Sequence, residues 1–152
     1  MKFKMLGIAV LIALPSTAIS AEQADIRAVE SCKQSSATFV QIADCLPDAH
    51  VAFKVIDAFA EIYTSEASIL KDRCIELNKK DIGAAASCIN NAVKKAVELK
   101  SSLPSGTDIG DPLFDAVSSK EKFDKLQEAT KIARAAFPDK SLWGGGSYYP
   151  YK

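Results

Sequence analysis

Apolar positions recur at three- and four-residue steps along most of this chain, with polar positions filling the gaps. In the segment "PDAHVAFKVIDAFAEIY", which starts at Pro47, one such stripe is made by Ala52, Val55, Ile56, Phe59, Ile62 and Tyr63. Because a helix turns once in 3.6 residues, that spacing is one face of an amphipathic helix. The stripe resumes after "TSE" with Ile69, Leu70, Cys74 and Leu77. Either one long helix bends near Thr64 and Ser65, or a second helix begins there with one of the two as its cap. Asp81 then reads as an N-cap for "IGAAASCINNAVKKAVELKSSL", whose stripe is Ile82, Ala85, Ile89, Ala92, Val93 and Ala96. Pro104 disfavours helical geometry in the residue before it, so this helix ends at or before Leu103.

The flanks follow the same grammar. "AEQADIRAVESCK" and "SATFVQIADC" read as a pair of helices broken near Ser35 and Ser36, or as one continuous helix. Asp111 followed by Pro112 starts a short turn of helix, and Ser118 with Glu121 three residues on makes a capping-box signal. The last helix, "KEKFDKLQEATKIARAAF", turns Phe123, Leu126, Ala129 or Thr130, Ala133 and Phe137 inward until Pro138 stops it. No stretch alternates with period two for long enough to predict a sheet. The pattern predicts an all-α bundle of about five helices.

The N-terminus changes the picture by fixing the compartment. Lys2 and Lys4 precede the apolar run "LGIAVLIAL", which leads into Pro15 and the small residues "STAISA". This is the charged, apolar, small-residue order of a secretory signal peptide spanning residues 1–21, cleaved after Ser20 or Ala21. The apolar run is about half the roughly 20 residues that span a bilayer, and no later stretch is longer. No cysteine follows the small residues immediately, which argues against an acylated lipoprotein. The expectation is a helical domain over residues 22–138, a flexible Gly/Tyr-rich tail over 139–152, and a periplasmic or secreted location. Without the signal, 17 basic residues face 19 acidic ones, so the basic excess that phosphate backbones require is missing and nucleic acid is not an expected partner.

In an oxidising compartment the even set Cys32, Cys45, Cys74 and Cys88 reads as disulfides, with three connectivities open. Cys74 and Cys88 each lie seven residues from Asp81, so a hairpin turning at "NKKD" sets them at matching heights on facing helices. For Cys32 and Cys45 the midpoint falls between Thr38 and Phe39, about three residues past the expected break. The nested alternative, Cys32 with Cys88 and Cys45 with Cys74, is centred inside the strongest stripe, near Phe59 and Ala60. Local pairing is therefore preferred, nested pairing is second and crossed pairing last. Facing helices sit about 8 to 10 Å apart, wider than a disulfide tolerates, but small side chains at Ala84, Ala85 and Ala86 allow closer approach. The spacings of 12, 28 and 13 residues between successive cysteines lack the close pairs of a zinc site or a redox motif, so no metal or cofactor is expected.

Other chemistry is sparse. His50 is the only histidine and, just after "LPD" at an expected helix start, reads as a solvated surface residue. No Gly-x-Ser-x-Gly elbow or phosphate loop is present, and Asp57 with Glu61, one turn apart, reads as a water-facing pair. No catalytic residue and no enzymatic activity are therefore expected. The compositional anomaly is "WGGGSYYPYK", where a glycine hinge separates Trp143 from Tyr148, Tyr149 and Tyr151. Such aromatic residues anchor interfaces, which marks these four as candidate partner-binding residues. The function expected from the sequence is a small exported helical interaction protein (an inhibitor, immunity-type protein or adaptor) that binds a protein partner. The alternative is a carrier holding an apolar small molecule between its helices.

Overall fold

The computed structural model describes residues 23–137 of the 152-residue chain. Six α-helices follow one another there: α1 (Ile26–Ser35), α2 (Phe39–Ile62), α3 (Ser68–Leu77), α4 (Ile82–Ser102), α5 (Pro112–Val117) and α6 (Lys120–Ala135). A single 3-10 turn, Ser65–Ala67, links α2 to α3. The described residues contain no strand, and the architecture is an all-α bundle stapled by two disulfides.

Side-chain caps set most of the boundaries by occupying amide N–H groups left free at helix starts. Asp25 accepts from the Arg27 N–H ahead of α1, Asp81 from the Ala84 N–H ahead of α4, and Asp111 from the Leu113 and Phe114 N–H groups ahead of α5. At α2 the cap is reciprocal. Thr38 accepts from the Gln41 N–H while the Gln41 side chain accepts from the Thr38 N–H. This capping box starts α2 eight residues before Pro47, so the two segments read separately from sequence are one 24-residue helix. Pro47 lies inside it without an N–H to donate to the fourth residue before it, a defect of about 3 kcal/mol in an isolated helix. Tertiary packing offsets that defect, because Pro47, Ala49, His50, Val51 and Ala52 are all buried.

Two further expectations shift. The cap of α6 is Ser119, which accepts from the Lys122 N–H, whereas Ser118 closes α5 and is 2% exposed. The break at Thr64 resets the helical phase, so in α3 Leu70 and Cys74 face inward while Ile69 and Leu77 are exposed.

The long helix α2 is the hub, packing against α1, α3, α4 and α6. Its stripe of Val55, Ile56 and Phe59 meets Ile89 and Val93 of α4 and Leu126 and Ala133 of α6 in the main core. Tyr63 ends the stripe, stacked on Phe59 with ring centroids 4.6 Å apart, and burial pushes its phenol pKa up to about 12. A second, smaller cluster lies under α1, where Ala28 and Cys32 pack on Ala49 with Ile42, Leu46, Phe53 and Ile82 around them.

Candidate functional site

The disulfides join Cys32 to Cys45 and Cys74 to Cys88, with Cα atoms 5.8 and 5.7 Å apart. These distances lie within the range a disulfide spans without backbone distortion. The first ties α1 to α2 across the 36–38 turn, and the second ties α3 to α4 across the 78–81 turn. Together they hold α1 and the α3–α4 turn on either side of Phe53 and Ile82. A cleft of about 830 Å³ opens between them.

Its floor is apolar, made by Ile26 of α1, Phe53 of α2, Ile75 of α3, and Ile82 and Ala85 of α4. Its rim is polar, with Arg27, Glu30 and Gln34 on one side and Asn78, Lys79 and Lys80 on the other. The volume falls in the range of ligand-sized clefts. Ile26, 68% exposed, leaves its aliphatic side chain uncovered at the α1 edge of that floor.

The α1 wall is fixed by a polar cluster at its N-terminus. The Arg27 guanidinium donates to both Asp25 and Asp57, reaching Asp25 Oδ2 at 2.6 Å, and lies 4.8 Å from the centroid of the Phe53 ring. Arg27 holds the Asp25 carboxyl well below the usual carboxylate range, at about 2, through its side-chain hydrogen bond against an opposing desolvation cost. Arg27 and Asp57 remain 47% and 42% exposed, so their ion pair orients the wall more than it stabilises it.

His50 completes this cluster and corrects the sequence reading, which placed it at the surface. It is fully buried: its Nδ1 accepts the Asp25 backbone N–H at 3.0 Å, and the Phe137 ring meets its edge with centroids 5.1 Å apart. The surface reading came from placing a helix start at Pro47. With α2 running on from Phe39, His50 sits in mid-helix on the face toward α1. His50 thus links the start of α1, the middle of α2 and the end of the described chain. Its Nε2 is buried and has no hydrogen-bond partner among the described residues.

Of the expected water-facing pair, Asp57 holds Arg27 and Glu61 is exposed. Trp143, Tyr148, Tyr149 and Tyr151 lie outside the described residues, as does the segment read as a signal peptide. Among the described residues no group of three or more His, Cys, Asp and Glu side chains is placed to hold a metal ion, and no helix is long and apolar enough to cross a membrane. A second depression, about 470 Å³, lies where α2, α4 and α6 meet and is bordered by Asp48, Asn90 and Arg134. The nearby α4 N-terminus is already capped by Asp81.

The sequence reading did not mark the cleft: of its apolar residues Ile82 belongs to a stripe drawn from the sequence, whereas Ile26, Phe53 and Ile75 fall outside those stripes and come from three other helices. No protein family, curated protein or solved structure matches this chain.

Proposed function

We propose that this is a small exported interaction protein that acts by binding a protein partner and not by catalysis. The observation that carries the reading is the cleft between α1 and the α3–α4 turn, with an aliphatic floor, a polar rim and walls held by two disulfides. An apolar patch rimmed by polar groups is the usual form of a protein-binding surface. Rigid walls reduce the ordering cost that binding would otherwise incur. Disulfides of this kind persist in oxidising compartments, which agrees with a periplasmic or secreted location following the signal-like N-terminus. The aromatic residues Trp143, Tyr148, Tyr149 and Tyr151 supply further anchoring side chains on the same reading. A carrier of apolar small molecules is the second reading, supported by the cleft's volume. The exposed Ile26 and the charged rim fit a protein surface better than an enclosed ligand.

The test is an affinity capture from the host's exported fraction. The mature oxidised protein is compared with an Ile26→Asp variant and with a chain lacking residues 143–152. The expected result is a stoichiometric protein partner retained by the full chain and reduced in both altered forms. A bound lipid or other small molecule recovered by mass spectrometry, with no protein partner, would replace this reading with the carrier.

A further inference from the structure

The α1 wall of the cleft is built in rows. Ile26, Glu30 and Gln34 recur every four residues along it, and Arg27, Ser31 and Ser35 recur beside them. Two such rows bound a shallow groove on the helix surface, the feature into which the side-chain ridge of another helix packs. At 1.5 Å per residue the ten residues of α1 carry this groove for about 15 Å, between two and three helical turns. Beside it Phe53, Ile75 and Ile82 are only half-buried and Ile26 is exposed, so a strip of apolar surface lies uncovered along the floor.

Backbone chemistry restricts what can lie on that strip. Both walls are helical, and their amide and carbonyl groups bond within the helices; at the turn Asn78 donates to the Cys74 carbonyl and Asp81 accepts the Ala84 N–H. The described residues offer no strand edge. An extended segment would leave much of its own backbone over an apolar floor, where each polar group loses water without gaining a regular partner. A helix satisfies its backbone internally and needs only an apolar stripe at three- and four-residue steps.

The rim adds a sign. On the α1 side the charges are answered within the protein, Arg27 by Asp25 and Asp57, and Glu30 by Lys33. On the other side Lys79 meets Glu76 at 3.9 Å with both side chains exposed, a pair that leaves the ammonium largely available. Lys80 has no ion-pair partner among the described residues, and the carboxylate next to it, Asp81, is engaged as the α4 cap.

We infer that the element of the partner seated in this cleft is an amphipathic helix of two to three turns. It lies along α1 with its apolar stripe on Ile26, Phe53, Ile75 and Ile82, and its flank facing Lys79 and Lys80 carries carboxylates. The inference rests on the protein-partner reading above and narrows it to one secondary structure and one sign of charge.

Three synthetic peptides of about 14 residues, long enough for three to four turns, test it. The first has a leucine stripe at three- and four-residue steps, glutamates along one flank and alanine elsewhere. The second has lysines in place of the glutamates, and the third is the first with a central proline that breaks the helix. Fluorescence anisotropy of each labelled peptide reads binding to the full mature oxidised protein. The glutamate peptide should bind about tenfold tighter than either of the others. Changing Lys79→Glu and Lys80→Glu together should reverse the order of the glutamate and lysine peptides. Ile26→Asp should weaken the glutamate peptide about tenfold, whereas Ile69→Asp, at an exposed residue outside the cleft, should leave it unchanged. A proline peptide that binds as well as its parent would overturn the helical occupant. Equal binding of the two charged peptides, or a preference that survives the lysine reversals, would overturn the acidic flank. Binding of none of the three would overturn the inference entirely. The protein-partner reading is decided separately by the capture experiment: a captured protein that depends on Ile26, alongside peptides that fail, identifies a partner that engages the cleft through another kind of element.

Discussion

A buried imidazole takes the place of a cap at the junction of three segments. His50 Nδ1 accepts the Asp25 N–H at 3.0 Å, and only a ring nitrogen in that position keeps this amide paired. Replacing His50 with Phe retains the ring volume and the edge contact to Phe137 but removes the acceptor. The expected loss is about 1 to 2 kcal/mol, toward the low end for a donor left unpaired because the site is only partly buried. His50→Ala adds a cavity and should cost about 2 to 5 kcal/mol. Urea denaturation midpoints of the two variants check both the order and the sizes. Beside it, Asp25 sets an acid response. Its carboxyl is lowered from the ordinary 3.8 to about 2, chiefly by the hydrogen bond from Arg27. A group depressed in the folded state contributes stability that is fully present above its unfolded value and is lost as pH falls through its folded one. The contribution is thus intact above about pH 3.8 and declines toward pH 2. Asp25→Asn should lack this component, so the stability difference between wild type and variant should shrink across that window. A wild-type and variant pair that stay parallel from pH 5 to pH 2 would refute it.

At the scale of elements, the two disulfides close loops of similar length but guard different packing. Removing either should cost around 3 kcal/mol in the chain-entropy estimate for a loop of about 15 residues. The Cys74→Ala, Cys88→Ala pair acts on α3 and α4, where Cys74 belongs to the main core, so its loss should appear as a lower global melting midpoint. The Cys32→Ala, Cys45→Ala pair acts on α1, and its loss should appear chiefly as release of that helix, read by amide exchange. Most of the helices were legible in the sequence because a 3.6-residue stripe and an Asp cap are local signals, as at Asp81 and Asp111. What was not legible depended on contacts between distant segments. Thr38 and Gln41 extended α2 through Pro47, the break at Thr64 turned Ile69 and Leu77 outward, and His50 became buried only because α1 folds back across it. The cleft was hidden for the same reason, since its floor draws one or two residues from each of four helices.

Across the whole molecule, burial is divided unequally, and that division predicts the order in which the bundle opens. The main core joins α2 to every element from the 3-10 turn to α6 and contains Phe59, Ile89, Val93 and Leu126, each no more than 1% exposed. The apolar cluster under α1 has Ala28, Cys32 and Ala49 as its buried members, beside the buried His50, with half-buried residues around them, so this helix removes far less apolar surface from water. Free energy gained on burial scales with that area, at about 25 cal/mol per Å². Much of what holds α1 is therefore the disulfide, the His50 acceptor and the hydrogen bonds from Arg27 to the largely buried Asp25 carboxylate. Segments with few buried contacts open at free energies below that of global unfolding. Native-state hydrogen exchange should show α1 amides opening well below the free energy measured for the centre of α2 and for α4. The Cys32→Ala, Cys45→Ala variant should widen that gap. If α1 instead exchanges only with the global transition, its small cluster is bound more tightly than its area allows. The order matters for the cleft as well, because α1 is one of its walls: whatever loosens α1 removes the Ile26 side of the floor while the α3–α4 turn stays in place. Acid below about pH 3.8 and loss of the Cys32–Cys45 bond should therefore weaken binding at the cleft before they unfold the bundle.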